Sequence, residues 1–141
     1  MNRTEQTLNE NKIVLIEDNP DHAELIAEAI GGGDIESNII LLSDGMKAID
    51  FFEKCSIEDH IENRIKLIVI DLKLAKIDGM DILKFLKESS RYSKIPVIIF
   101  SATSDQKTID EAYKNGANGY FVKPIDHKEF VEKIKILKKC C

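Results

Sequence analysis

The chain has 141 residues, 43% hydrophobic and 32% charged, with a formal net charge of −5. That length predicts one domain able to bury about two-thirds of the surface its unfolded chain exposes, no apolar run reaches the length of a membrane span, and an acidic balance without a basic stripe argues against nucleic-acid binding. The polar N-terminus has no apolar signal region, and Cys55 with the terminal pair Cys140-Cys141 fits neither a disulfide framework nor a zinc site, so a reducing cytoplasmic setting is expected.

The first predicted strand, "IVLI" at 13–16, runs straight into Glu17-Asp18 and the turn pair Asn19-Pro20. The helix after it places Leu25, Ile26, Ala29 and Ile30 on one face and stops at Gly31-Gly32-Gly33. A second strand, "NIILL" at 38–42, precedes a helix with Ala48, Ile49, Phe52 and Cys55 on its apolar face. "CSIEDHIENRIK" is charged and without period, which predicts a surface loop. The third strand, "LIVI" at 67–70, ends in Asp71 and is followed by a helix carrying Ile82, Leu83, Phe85 and Leu86. The fourth, "VIIF" at 97–100, ends in Ser101-Ala102-Thr103, and its helix shows Ile109, Ala112 and Tyr113 before the stop at Asn115-Gly116. The fifth, "YFV" at 120–122, ends in Lys123-Pro124 and leads to a helix with Phe130, Ile134 and Leu137 on one side. The excess lysine in that last helix suits the dipole of its final turn.

Strand and helix alternate, and the strands are continuous β-branched runs rather than apolar/polar alternations. Strands buried on both faces belong to a parallel sheet covered by helices on either side, so a doubly wound α/β domain is predicted. Residues 1–11 then form a polar extension, 12–139 the domain, and 140–141 a terminal pair of cysteines. In such folds chemistry gathers at the carboxyl ends of the strands. There the chain places Glu17 and Asp18, Asp71, Ser101 and Lys123, while the second strand contributes nothing chemical.

Two adjacent acids at the end of a buried strand repel, which calls for a compensating positive charge. Clustered carboxylates suit a hard divalent cation such as Mg²⁺. Asp71 has two readings: a third ligand only, or a nucleophile that takes a phosphoryl group. Mg²⁺, Lys123 and the Ser101 hydroxyl would supply the positive charge and donors that phosphoryl transfer needs. Singly, each residue has an ordinary explanation as a helix cap or a surface charge. The argument rests on separate strand termini each carrying a group that one reaction requires. His22, His60 and His127 have no metal-ligand spacing and read as solvated residues.

These residues resemble the receiver domain of two-component response regulators over nearly the whole chain, from Lys12 to Leu137. Glu17-Asp18 match the family's metal-binding acid pair, and Asp71 in "LIVIDLKLAKIDG" matches its phosphoacceptor, with Asp78-Gly79 at the family's spacing. "SDGMKAIDFF" looks like the entry to the second helix, "IIFSAT" supplies the hydroxyl at Ser101, and "GANGYFVKP" supplies a switch aromatic at Tyr120 and the lysine at Lys123. The opening is similar to that of free-standing receivers paired with bacterial phytochromes. The resemblance implies a flavodoxin-like sheet of order 2-1-3-4-5, a cis Lys123-Pro124 bond, and the backbone carbonyl of Lys73 as a further metal ligand. It implies a phosphoprotein that catalyses its own aspartyl phosphorylation and dephosphorylation, not a turnover enzyme. Its phosphodonor would be a sensor histidine kinase or phosphotransfer protein. Its target would be a protein meeting the face of the fourth helix, fifth strand and fifth helix, lined by Lys107, Glu111, Lys114 and Lys133, where self-association is also expected.

Ala75 stands where many receivers have proline, so a less rigid loop after Asp71 is expected. No linker or helix-turn-helix is visible past the fifth helix, and output through protein contact is expected, from a free-standing regulator or a receiver within a longer protein. A Mg²⁺-dependent phosphohydrolase is disfavoured because Lys73 stands where such enzymes often carry a general acid. An FMN-binding flavodoxin is disfavoured because "EDNPD" is opposite in charge to a phosphate-cradling loop.

Overall fold

The computed structural model describes residues 12–31, 39–55, 60–123, and 128, 129 and 132. Its elements run β1 (Lys12–Ile16), α1 (Pro20–Gly31), β2 (Ile39–Leu42), α2 (Gly45–Lys54), a 3₁₀ turn (Ile61–Asn63), β3 (Ile65–Asp71), α3 (Gly79–Glu88), β4 (Val97–Ser101), α4 (Gln106–Lys114) and β5 (Gly119–Val122). The five strands form one sheet of order β2-β1-β3-β4-β5, and every neighbouring pair is parallel. The fold is therefore the doubly wound, flavodoxin-like one. Lys128, Glu129 and Glu132 are helical. The predicted apolar face of that helix, the Lys123-Pro124 bond, residues 1–11 and the cysteine pair lie outside the described residues.

Successive side chains of a strand point to opposite faces, so each buried run feeds two cores. Val14, Ile16, Ile68, Ile70, Val97 and Ile99 pack on one side with Phe52 of α2 and Leu83 and Leu86 of α3. Ile13, Leu15, Leu67, Val69, Ile98 and Phe100 pack on the other with Ala23 and Ile26 of α1. Two polar anchors reach across elements on the first side. The Tyr92 hydroxyl donates to the Phe52 carbonyl at 2.8 Å, and Lys87 Nζ donates to the carbonyls of Ser93 and Ile95 and to Asn118 Oδ1.

The structure corrects three sequence expectations. Leu25 is 61% exposed; the described buried face of α1 is Ala23, Ile26 and Ala27. Tyr113 is 47% exposed, and Ala112 alone in α4 is buried. The segment predicted as a loop before the third strand contains a 3₁₀ turn at Ile61–Asn63, and β3 already begins at Ile65; residues 56–59 lie outside the described set.

Candidate functional site

Register brings the site together. Ile16 pairs with Ile70, so Glu17 and Asp71 leave neighbouring strands side by side, and Asp71 pairs with Phe100 on β4. Ser101 pairs with Val122 of β5, and the Lys123 amide donates to the Ser101 carbonyl at 2.8 Å. One sheet edge thus presents Glu17, Asp71, Ser101 and Lys123 from four strands.

Lys123 Nζ lies 3.0 Å from Glu17 Oε1 and 3.0 Å from Asp71 Oδ2. This ammonium sets a positive charge beside Glu17 and Asp71, in addition to the divalent cation expected for the acid pair. Burial, then hydrogen bonding with Asp71, raise the Glu17 pKa to about 7 even though Lys123 pulls the other way. Burial lowers the Lys123 pKa, but its bonds to Glu17 and Asp71 win and hold it above the ordinary lysine value. The cost of crowding falls on Glu17, which is 1% exposed. Asp18 is exposed.

One carboxylate oxygen from each of Glu17, Asp18 and Asp71 lies within 4.8 Å of the others. An octahedral Mg²⁺ with oxygens at about 2.0–2.1 Å places neighbouring ligands about 2.9 Å and opposite ligands about 4.2 Å apart. The all-oxygen donor set suits a hard cation. Beside the acids an open depression of about 460 Å³ is lined by Asp18, Lys73, Lys76 and Asp78 among others.

The loop after Asp71 is held at both ends. The Lys73 amide donates to Asp71 Oδ1 at 3.1 Å, and the Ala75 amide donates to Asp18 Oδ2 at 3.2 Å. Proline at 75 has no N–H and cannot make the second bond. At Ala75 the backbone N–H thus ties the loop to an acid of the cluster. The Ala75 carbonyl accepts from Gly45 N at 3.4 Å and from Ile77 N at 2.9 Å, and Asp44 Oδ2 lies 3.6 Å from Lys76 Nζ. The segment after β2 thus supports the loop at this edge while adding no group to the acid cluster. Gly79 opens α3 directly against β3: a Cβ there would overlap the Asp71 carbonyl and come within 2.7 Å of Leu72 Cα. The Asp78-Gly79 pair has two local causes, a side-chain cap from Asp78 to the Met80 amide and this close approach.

Ser101 is fully buried, and its Oγ accepts from the Thr103 amide at 3.1 Å. Tyr120 is half-buried against the core, and its hydroxyl donates to the Thr103 carbonyl at 3.0 Å. Ser101 and Tyr120 therefore grip the same residue.

The sequence reads His22 as solvated, and its side chain is 44% exposed. Its Nδ1 also lies 3.1 Å from Lys123 Nζ and 3.9 Å from Glu17 Oε1, a contact the sequence does not predict. The missed signal was its place in the first turn of α1, where Asn19 Oδ1 accepts from the amides of Asp21 and His22. A side chain there leans back toward the strand end. His60, left-handed at φ 51°, lies 3.9 Å from Glu62, and His127 lies outside the described residues.

A doubly wound parallel sheet with an acid cluster and a lysine at its carboxyl edge has close counterparts. The family model of the response regulator receiver domain matches residues 13–135. The probable methanogenesis regulatory protein FilR2 of Methanothrix harundinacea is 34% identical over 126 residues, spanning 87% of this chain and 80% of that protein. Response regulator Rcp1 of Synechocystis is 27% identical over 125 residues, 87% of this chain and 83% of its own. The crystal structure of the Mn²⁺-bound form of Rcp1 matches with TM-score 0.71 and 26% identity over 91% and 92% of the two chains. The phosphorylated cyanobacterial phytochrome response regulator RcpA matches with TM-score 0.74 and 28% identity over 92% of each. The chain belongs to the response regulator receiver domain family of two-component signalling.

Proposed function

We propose that this receiver accepts a phosphoryl group on Asp71 from a phosphohistidine of a sensor kinase or phosphotransfer protein, and that the modification switches a protein-contact surface. Receiver domains take phosphoryl groups from histidine kinases, and the observation that carries the assignment to Asp71 is its place in the edge. It is a carboxylate on the central strand, with one oxygen within 4.8 Å of oxygens of Glu17 and Asp18, and it is bonded to Lys123. A bound Mg²⁺ would neutralise charge on the acids and the transferring group, held by Glu17, Asp18, Asp71 and the Lys73 carbonyl. An Asp71 oxygen forms the new P–O bond as the P–N bond of the donor breaks, and the departing imidazole takes up a proton. Lys123 moves its ammonium from Asp71 Oδ2 to a phosphoryl oxygen, and the Ser101 hydroxyl donates to another. The same residues serve the domain's own phosphorylation and dephosphorylation.

Output follows from the grip on Thr103. If Ser101 turns toward the phosphoryl group it releases the Thr103 amide, and the Thr103 carbonyl that holds Tyr120 shifts with it. Tyr120 is already half-buried, so the switch is a change in its hydroxyl bond and packing rather than a swing from solvent. The face affected carries the exposed Lys107, Glu111 and Lys114; Lys133 lies outside the described residues. A downstream protein, or a second copy of the chain, is the proposed occupant. Among the described residues no helix is long and apolar enough to cross a membrane, and the cytoplasm is the proposed compartment.

The test is chemical. With a small-molecule phosphodonor and Mg²⁺, label is expected on Asp71 alone, and Asp71→Asn removes it. Label on Glu17 or Asp18 of the unaltered protein would refute the assignment. Ser101→Ala is expected to take label yet lose most of the response at Tyr120 to beryllofluoride, read by NMR.

A further inference from the structure

Lys123 has three ammonium protons and three acceptors facing them: Glu17 Oε1 and Asp71 Oδ2 at 3.0 Å, and His22 Nδ1 at 3.1 Å. The first two belong to the reaction chemistry. The third does not. An ammonium can only donate, so as a hydrogen bond this contact makes Nδ1 the acceptor, which corresponds to the Nε2–H tautomer of a side chain that is 44% exposed. The ring is aimed by the turn that also holds Glu17. The Asn19 amide donates to Glu17 Oε2 at 3.3 Å, and Asn19 Oδ1 accepts from the His22 amide at 3.2 Å.

The geometry points to His22 as a positioning residue for Lys123, an inference that rests on phosphoryl transfer at Asp71 as proposed above. In that reaction both carboxylate partners of the lysine are diverted, Glu17 to the cation and Asp71 to phosphorus. The ammonium loses its two anionic anchors just when a phosphoryl oxygen needs it. His22 is the acceptor that the reaction leaves in place. By holding one N–H from the α1 side it keeps a long, rotamer-rich side chain over the acceptor, so less ordering remains to be done in the transition state.

Two kinds of measurement decide this. In ¹⁵N NMR of the whole chain, His22 is expected as the Nε2–H tautomer, with a slowly exchanging Lys123 ammonium, both with and without Mg²⁺ and beryllofluoride. His22→Ala is expected to lose the protected ammonium and to slow labelling of Asp71 by a small-molecule phosphodonor about three- to tenfold, the worth of one such hydrogen bond. His22→Asn, which restores an acceptor, is expected to recover most of the rate. The Mg²⁺-induced rise in melting temperature is expected to be the same in both variants, which separates lost positioning from lost metal binding or misfolding. A His22→Ala protein that labels at the parental rate with an unchanged Lys123 signal overturns the inference, as does an Nδ1–H tautomer in the parent. If the parent takes no label at Asp71, the functional proposal fails, while the tautomer and ammonium signals still decide whether His22 holds Lys123.

Discussion

At the scale of single residues the burden of the site is uneven. Glu17 is buried and takes up a proton near pH 7, whereas its ordinary value is 4.5; Asp18 stays exposed with a backbone donor on one oxygen. Between those two pH values the folded protein binds more protons than the unfolded one, so stability falls as pH rises through the interval. Asp44 and Glu62 shift the opposite way, and their stabilisation is lost only as pH falls below the ordinary carboxylate range. Urea titrations without divalent ions from pH 5 to pH 8 are therefore expected to show the midpoint falling in the parent and nearly level in Glu17→Gln. A parent profile as flat as that of the variant would mean that Glu17 is not strained.

At the scale of elements, which face a helix buries depends on one turn. Asn19 stands just before α1, and its carbonyl accepts from Ala23 N at 2.9 Å; that start turns Ala23, Ile26 and Ala27 inward and leaves Leu25 in solvent. Ile26 belongs to the smaller core together with Leu15 and Phe100. Ile26→Ala is expected to cost about 2–4 kcal/mol, and Leu25→Ala to stay within about 0.5 kcal/mol, both read from denaturant midpoints. Equal losses would place Leu25 in the core after all. Helix α3 is constrained differently, since it starts against the strand that carries Asp71. Gly79→Ala is expected to destabilise by about 1–3 kcal/mol, because the obstacle is backbone, which gives little, and to slow Asp71 labelling as well. Loss of stability without any effect on labelling would show that the Asp71 carbonyl does not feel the helix.

At the scale of the whole molecule, strands from distant parts of the chain converge on one edge, so a ligand there reports on the entire fold. A cation that binds only the folded state stabilises by mass action, about 2.7 kcal/mol at a hundredfold excess over Kd. Millimolar Mg²⁺ is expected to raise the melting temperature by several degrees and to flatten the pH dependence assigned to Glu17, because a bound cation favours the carboxylate. An unchanged Tm, or a shift that survives Asp18→Asn at full size, would remove the metal site from this edge.

The sequence by itself determined the architecture and most of the edge. Continuous β-branched runs bury on both faces only in a parallel sheet, and residues at the ends of such strands must gather at one side, so Glu17, Asp18, Asp71, Ser101 and Lys123 were legible as a set. The tertiary structure alone decided which of them touch. Lys123 pairs with Glu17 and Asp71 rather than Asp18, Ala75 binds Asp18, Ser101 and Tyr120 share Thr103, and His22 closes on the lysine. Periodicity also misplaced Leu25 and Tyr113, because helical spacing selects a stripe but not the rotation of the helix on its sheet. These contacts join residues up to 106 positions apart, and angstrom-scale differences in helix start and strand register set them. A linear pattern of residue types carries the period of an element and the order of its ends, and no distance across the space between them.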